Sequence, residues 1–285
     1  MPKTYNEIYI RVRNALREHG VEASAIEARI IVACAAGKTT AQLVRDLRLY
    51  VGDEIAETAE AMLARRLTGE PVAYITGQWE FYGIPLEITR DVLIPRVDTE
   101  VLVDTAVASL RGRKMDARIL DLCSGSGCIG CAIAEVMPKS RVVLADISPE
   151  AMALSRRNVE RNGLQGRVSF LPADVMQPPP IMTGSFDLVV SNPPYIPTVD
   201  IFTLDPSVRD YEPVWALDGG EDGLDFYRAI LKGWKQVLRQ GGQLMFEVGE
   251  EQAGAVKDLM LMSGFYDAAV VPDTRGVERV VTAKL

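Results

Sequence analysis

Apolar residues recur at intervals of three and four through residues 4–18, 23–36, 39–48 and 53–68, with polar breaks at His19-Gly20, Gly37-Lys38 and Gly52-Asp53. That interval puts them on one face of a helix, so the first quarter of the chain reads as a small helical bundle. The texture changes at Gln78-Trp79-Glu80-Phe81-Tyr82, Gly83-Ile84 and Pro85-Leu86-Glu87-Ile88. Alternation about a glycine turn there predicts a β-hairpin. From Ile94 onward short apolar runs alternate with helical stretches. Strands are expected at 118–122, 142–145, 168–171, 186–191, 243–248, 268–271 and 277–283. Helices are expected at about 98–111, 127–137, 149–162, 223–239 and 250–263. Such alternation means a parallel sheet covered on both faces. The last two strands have no helix between them and should pair antiparallel. The expected organisation is a helical domain over 1–75, a hairpin linker over 76–93 and an α/β domain over 94–285 with a seven-stranded Rossmann-like sheet.

Composition narrows the class without naming it. The chain is 48% hydrophobic and 25% charged, and no apolar stretch approaches the roughly 20 residues that span a bilayer. The amphipathic start MPKTYNEIYIRVRNAL lacks the basic-then-apolar order of an export signal, so a cytoplasmic protein with no membrane partner is expected. The net charge of −8 argues against stable, salt-dependent nucleic-acid binding. Residues 1–75 balance their charges, with Arg11, Arg13, Arg17, Arg65 and Arg66 among the bases, and the acid excess lies beyond them. Cys123, Cys128 and Cys131 have a spacing superficially like an iron–sulfur run. Cys128 and Cys131 are three apart on an expected helix, a core-facing interval, and Cys34 is far away, so no metal is expected.

Three strand ends carry the chemistry. Asp121-Leu122-Cys123-Ser124-Gly125-Ser126-Gly127 closes one strand and opens a helix, where glycines permit close approach of backbone to a ligand. The spacing departs from G-x-G-x-x-G, and the Asp121 carboxylate would repel a pyrophosphate. It suits a cation. Asp146 ends the next strand, where an acid accepts from ribose hydroxyls, and Asp174-Val175 follows the third, placed for an adenine amino group. Acids at three successive strand ends favour S-adenosylmethionine over a nicotinamide cofactor. At the end of 186–191 stands Asn192-Pro193-Pro194-Tyr195. Two prolines stiffen the backbone and remove two donors, leaving carbonyl acceptors, and the Asn192 side chain adds another. Such a turn can grip an NH2 group by its two hydrogens.

These segments resemble the HemK-type protein-(glutamine-N5) methyltransferases that modify peptide chain release factors. The likeness covers nearly the whole chain: Pro95-Arg96-Val97-Asp98-Thr99-Glu100, the DLCSGSG loop, Asn192 to Ile196, Tyr211-Glu212-Pro213 with Ala216-Leu217, Gly219 to Leu224 and Glu278-Arg279-Val280. One departure is Cys123, where the commoner loop has glycine. The resemblance implies a methyltransferase acting on the glutamine of a Gly-Gly-Gln loop in release factors, and the chain is expected to be a monomer. Asn192, Pro193, Pro194 and Tyr195 would bind and orient that glutamine. Asp121, Cys123, Ser124, Gly125, Ser126, Gly127, Asp146, Asp174, Val175 and Asn192 would line the cofactor, released as S-adenosyl-L-homocysteine. Alternative readings are a ribosomal-protein glutamine methyltransferase, a nucleic-acid amino methyltransferase and a non-enzymatic cofactor-binding adaptor. A nicotinamide oxidoreductase is the least compatible with the loop.

Overall fold

Thr4 starts the first helix by a reciprocal exchange: its hydroxyl accepts from the Glu7 N–H, and the Glu7 carboxylate accepts from the Thr4 N–H. In the resulting helix α1 (Tyr5–Glu18), Tyr5, Ile8, Tyr9, Val12 and Leu16 are buried, one stripe at helical spacing. The computed structural model describes residues 3–112, 114–181 and 183–285 and divides into two compact units. The first comprises Met1–Gln78 and Pro206–Tyr211. It contains α1, α2 (Ser24–Ala35), α3 (Thr40–Asp46), α4 (Asp53–Leu67) and α5 (Val72–Thr76). A second such exchange, between Thr39 and Gln42, opens α3. Helix α5 was not evident in the sequence, because five residues are too few to show periodicity. Pro71 precedes it and Gly77, at φ +67°, ends it. Within this unit the Tyr211 hydroxyl donates to the Thr68 carbonyl at 2.9 Å, so a segment remote in sequence joins the helices.

The second unit begins at Trp79, within the hairpin of β1 (Gln78–Phe81) and β2 (Ile84–Glu87). Its turn residues Tyr82 and Gly83 both have positive φ, the combination that a two-residue hairpin of this hand requires. A tyrosine is an unusual occupant. Its N–H donates to Glu100 and its hydroxyl to Asp104, which hold it there against helix α6 (Glu100–Leu110). The sheet follows: β3 (Arg118–Leu122), α7 (Cys128–Val136), β4 (Arg141–Asp146), α8 (Pro149–Arg161), β5 (Val168–Pro172) and β6 (Phe186–Ser191). The short α9 (Pro206–Arg209) belongs to the helical unit; then come α10 (Asp225–Gly233), β7 (Leu238–Glu247), α11 (Ala253–Met262), β8 (Tyr266–Pro272) and β9 (Glu278–Lys284).

The strand order is β5-β4-β3-β6-β7-β9-β8, with β9 antiparallel to both β7 and β8. The expected seven-stranded α/β sheet with its terminal antiparallel pair is present. One expected element is shorter: the helix at 223–239 ends at Gly233, and β7 begins at Leu238, earlier than the hydrophobic run suggested. The pairing of β7 with β6 is irregular there, jumping from Phe186↔Leu238 to Leu188↔Gln243 across Gly241-Gly242. Central strands are buried on both faces, and Tyr227, Trp234 and Phe246 fill one side, with Tyr227 edge-on to Phe246 at 5.1 Å. The order reverses between β3 and β6, so the crevice at their carboxyl ends is where this architecture binds ligands.

Candidate active site

A cavity of about 560 Å³ opens at those carboxyl ends, within the range of small-molecule sites. Each of the first three strands contributes to it. After β3, the Cys123–Ser126 backbone forms one wall; β4 contributes Asp146, and the turn after β5 contributes Ala173, Asp174 and Val175. Asn192 and Pro194 come from the exit of β6, and Pro95 and Thr99 from the segment preceding α6. Trp215, Ala216 and Phe226 also line it, as do the acids Asp91 and Glu150.

Hydrogen bonds fix this geometry. Asp146 Oδ2 accepts from the Gly125 N–H at 2.8 Å and Oδ1 from the Ser148 N–H at 2.9 Å, so one carboxylate ties the glycine loop to the start of α8. Burial pushes its pKa up, opposed by those N–H groups. Asp174 accepts from the Met176 N–H at 2.9 Å. Asn158, fully buried on α8, donates to the Ser126 and Glu87 carbonyls and accepts from the Glu87 N–H, joining the loop to the hairpin. Glu212, 4% exposed, accepts from the Ile94 N–H and from Arg96, which holds the segment leading to Pro95 against the site.

Asp121 is placed differently from the other two acids. It is fully buried beneath the loop and absent from the cavity wall. Its Oδ2 accepts from the Gly130 N–H at 2.9 Å, near the start of α7. A helix N-terminus at this position in dinucleotide-binding folds offers such N–H groups to a pyrophosphate. Here a carboxylate has taken that donor. Gly130 allows this close packing: a Cβ would stand 2.3 Å from Leu144 Cδ2 and 3.1 Å from the carboxylate itself.

Asp121 also predicts a pH effect. Burial drives its pKa up to about 8, the Gly130 N–H opposing and the Asp146 charge adding to the rise. The folded chain therefore keeps a proton that the unfolded chain releases near pH 4. The stability so contributed is complete below about pH 4 and is lost as pH climbs toward 8. Asp121→Asn cannot titrate. In cofactor-free protein, the wild-type thermal midpoint minus that of Asp121→Asn should decline steadily from pH 4 to 8. A difference that stays flat would mean Asp121 ionises like a surface carboxylate.

Cys123, the loop's departure from glycine, has φ +57°, backbone that a side chain normally avoids. Gly125 and Gly127, at φ +52° and +80°, occupy the same region without that cost. The Cys123 thiol is pushed far up by burial and by the Asp146 charge and stays protonated. Cys128 and Cys131 are buried core residues on α7.

Of the expected Asn192–Tyr195 set, the structure brings Asn192 and Pro194 to the cavity wall; Pro193 and Tyr195 are not on it. Neither the Asn192 side chain nor the Pro193 carbonyl has a hydrogen-bond partner among the described residues. Tyr195 packs against the core beside β7, its hydroxyl pKa raised to about 12 by burial and the nearby Glu247.

Residues 97–202 match the model of the methyltransferase small domain, and residues 7–77 match that of the PrmC N-terminal domain. A release factor glutamine methyltransferase of Geobacter sulfurreducens is 40% identical over 282 residues, covering 99% of this chain and 97% of that one. The chain belongs to the release factor glutamine methyltransferase family. A second family member, from Agrobacterium fabrum, is 37% identical and covers 96% of this chain and 94% of its own. The family's α/β fold is shared more widely: a methyltransferase from Pyrococcus furiosus, 18% identical, superposes with a TM-score of 0.54 over 79% of this chain and 98% of its own.

Of the residues expected at the cofactor, Cys123, Ser124, Gly125, Ser126, Asp146, Asp174, Val175 and Asn192 line the cavity, and Asp121 and Gly127 do not. For this family member, sequence reasoning missed Asn158, Trp215 and Phe226. The Tyr211-Glu212-Pro213 motif pointed to the right neighbourhood for Trp215, but Asn158 lies in an amphipathic helix that gives no hint of its role. Among the described residues, no helix is long and apolar enough to cross a membrane.

Proposed function

We propose that this enzyme transfers a methyl group from S-adenosylmethionine to the side-chain amide nitrogen of the glutamine in the Gly-Gly-Gln loop of peptide chain release factors. The observation that carries this reading is the Asn192-Pro193-Pro194-Tyr195 turn beside a nucleoside-sized cavity, in a chain 40% identical to such an enzyme along its length.

The residues present fit the cofactor. Ser124 Oγ and Asp121 Oδ1 are buried without a protein partner among the described residues, and the wall combines four acids, Asp91, Asp146, Glu150 and Asp174, with apolar surface. Cys123, Ser124, Gly125, Ser126 and Gly127 would follow the amino-acid portion, with Asp121 beneath bracing the loop through its bond from the Gly130 N–H. Asp146 would accept from the ribose hydroxyls, since its two oxygens have lone pairs beyond the two N–H bonds they already receive. Asp174 and Val175 would meet the adenine. When bound, the cofactor supplies an electrophilic methyl on a sulfonium, a very good leaving group.

What remains for the protein is orientation. An amide nitrogen is a poor nucleophile because its lone pair is shared with the carbonyl. Asn192 Oδ1 and the Pro193 carbonyl would accept the two amide hydrogens and aim the nitrogen at the methyl. Both acceptors strengthen as positive charge grows on that nitrogen, so they favour the transition state over the ground state. Alignment of reactants can contribute several of the roughly 7–11 kcal/mol available from proximity. The extra proton becomes acidic after transfer and leaves to solvent. Tyr195, off the wall, would support the turn from behind. We assign recognition of the folded substrate to residues 1–75 and the hairpin over 76–93, with the chain acting as a cytoplasmic monomer.

The direct test is mass spectrometry of release factor incubated with enzyme and isotopically labelled S-adenosylmethionine. One labelled methyl on the loop glutamine is expected. Label on a ribosomal protein instead would transfer the activity to that substrate, and label on neither would end the reading. Asp146→Ala should raise the cofactor dissociation constant about tenfold to a hundredfold, corresponding to the roughly 1.5–3 kcal/mol of a charge-assisted hydrogen bond. Calorimetric titration measures this, and an unchanged constant would remove Asp146 from the site.

A further inference from the structure

Pro193 and Pro194 have no N–H, so the turn after β6 gives up two donors by which a loop is ordinarily tied to its surroundings. Fixed φ angles stiffen the turn but do not set where it stands. Backbone bonds tie its far end at Ile196, and a side chain ties Tyr195. Gln252 Nε2 donates to the Tyr195 carbonyl at 2.8 Å, and Gln252 Oε1 accepts from the Gly249 N–H at 3.0 Å. Gly249 lies just beyond β7, which pairs beside β6 with Phe246 opposite Ser191. One amide thus spans the exits of two adjacent strands.

Local preferences are set aside around this contact. Gln252 is the N-cap of α11, where a short polar side chain would bond its own helix, yet it makes no capping bond. The preceding Glu251 has φ +67°, a conformation held at some cost in a residue other than glycine. Two glycines leave room on either side. A Cβ on Gly223 would stand 2.3 Å from the Tyr195 carbonyl oxygen and 2.6 Å from Gln252 Nε2. One on Gly249 would stand 2.9 Å from Gln252 Oε1 and 3.1 Å from the Tyr195 ring. Cap, backbone strain and glycine placement are separate departures from local consistency, and all serve one hydrogen-bonded amide.

We propose that Gln252 is a positioning residue that sets the Asn192–Tyr195 turn against β7, and so sets where the acceptor amide is held. It acts through the Tyr195 peptide and does not reach the cavity wall. This rests on the methyl-transfer reading above.

The test uses Gln252→Leu, which keeps bulk without donors, and Gln252→Glu, which keeps the acceptor for Gly249 but lacks the N–H for Tyr195 at neutral pH. In both, kcat on intact release factor should fall at least about tenfold, while its KM and the S-adenosylmethionine dissociation constant stay within about twofold. Hydrogen exchange should quicken at the Ile196 and Gly219 amides, which bond Leu217 and Ile196 respectively, and stay unchanged in β6 and β7. A kcat within twofold of wild type overturns the proposal, as does cofactor affinity falling in step with kcat, which is the signature of general damage. Unaltered exchange at Ile196 overturns it too, whatever the substrate proves to be. A wild-type enzyme inactive on release factor would defeat the functional reading, and the exchange measurement would then decide the Gln252 contact alone.

Discussion

Asn192→Ala should lower kcat/KM on release factor by at least about a hundredfold, while the S-adenosylmethionine dissociation constant stays within about twofold. The expectation follows from what Asn192 does and does not touch. It stands on the cavity wall at the exit of β6, with no hydrogen-bond partner for its side chain among the described residues. The loop and the acids assigned to the cofactor come from β3, β4 and β5. On the proposed roles, truncation would delete an acceptor for the substrate's hydrogens while the loop, Asp146 and Asp174 keep most of the cofactor's contacts, so a contact from Asn192 itself would be a minor part of cofactor affinity. Loss of one preorganised transition-state contact typically costs ~2.7–4 kcal/mol, which sets the size of the effect. Single-turnover rates with saturating cofactor, together with calorimetric titration, separate the two quantities. A mutant retaining a tenth of wild-type turnover would remove Asn192 from the reacting centre.

A short Gly-Gly-Gln peptide should be a far poorer substrate than intact release factor, with kcat/KM lower by two orders of magnitude or more, about 3 kcal/mol of transition-state binding. The peptide brings the reacting amide but none of the surface available to residues 1–75 and the hairpin. Binding energy from remote surface is what holds the reacting centre in place, so kcat should fall along with affinity. Removing residues 1–75 should bring the two substrates close together in rate. The truncated chain also deprives Tyr211 of its bond to the Thr68 carbonyl, so its fold is checked by circular dichroism first. Full preference for the intact protein in a folded truncation would assign recognition to the catalytic domain.

Much of the α/β domain was legible because its central strands are buried on both faces and bounded by helices of ordinary length. The strand ends could be read for the same reason: Asp146, Asp174 and Asn192 each close an apolar run. Features made by local exchange between distant segments were not legible. The sequence around Asp121 suggested a ligand contact, yet the side chain turns inward to Gly130, because the start of α7 offers an N–H and burial favours using it. Tyr195 looked like a wall residue by adjacency to Asn192, but the stiff turn directs its ring to the core. Asn158 and Gln252 bond main-chain groups dozens of residues away, and no periodicity records such a partner. The segment from 197 to 216 holds several short helical turns, each too brief to leave a pattern.

If the two unpartnered acceptors at the exit of β6 take the amide hydrogens as proposed, they would also set how many methyls a glutamine can receive. A primary amide brings two N–H groups and satisfies both. Once methylated it has one, and the second acceptor would face carbon, leaving a buried carbonyl without a donor at a cost of roughly 1–3 kcal/mol. A site built around two hydrogens rejects a ligand that lacks one more strongly than a shape-selective pocket would. A glutamate in the same place brings none, and its negative charge would meet only acceptors. On the proposed roles the turn would act as a counter: it would admit an unmodified glutamine, release the singly methylated product, and stop there.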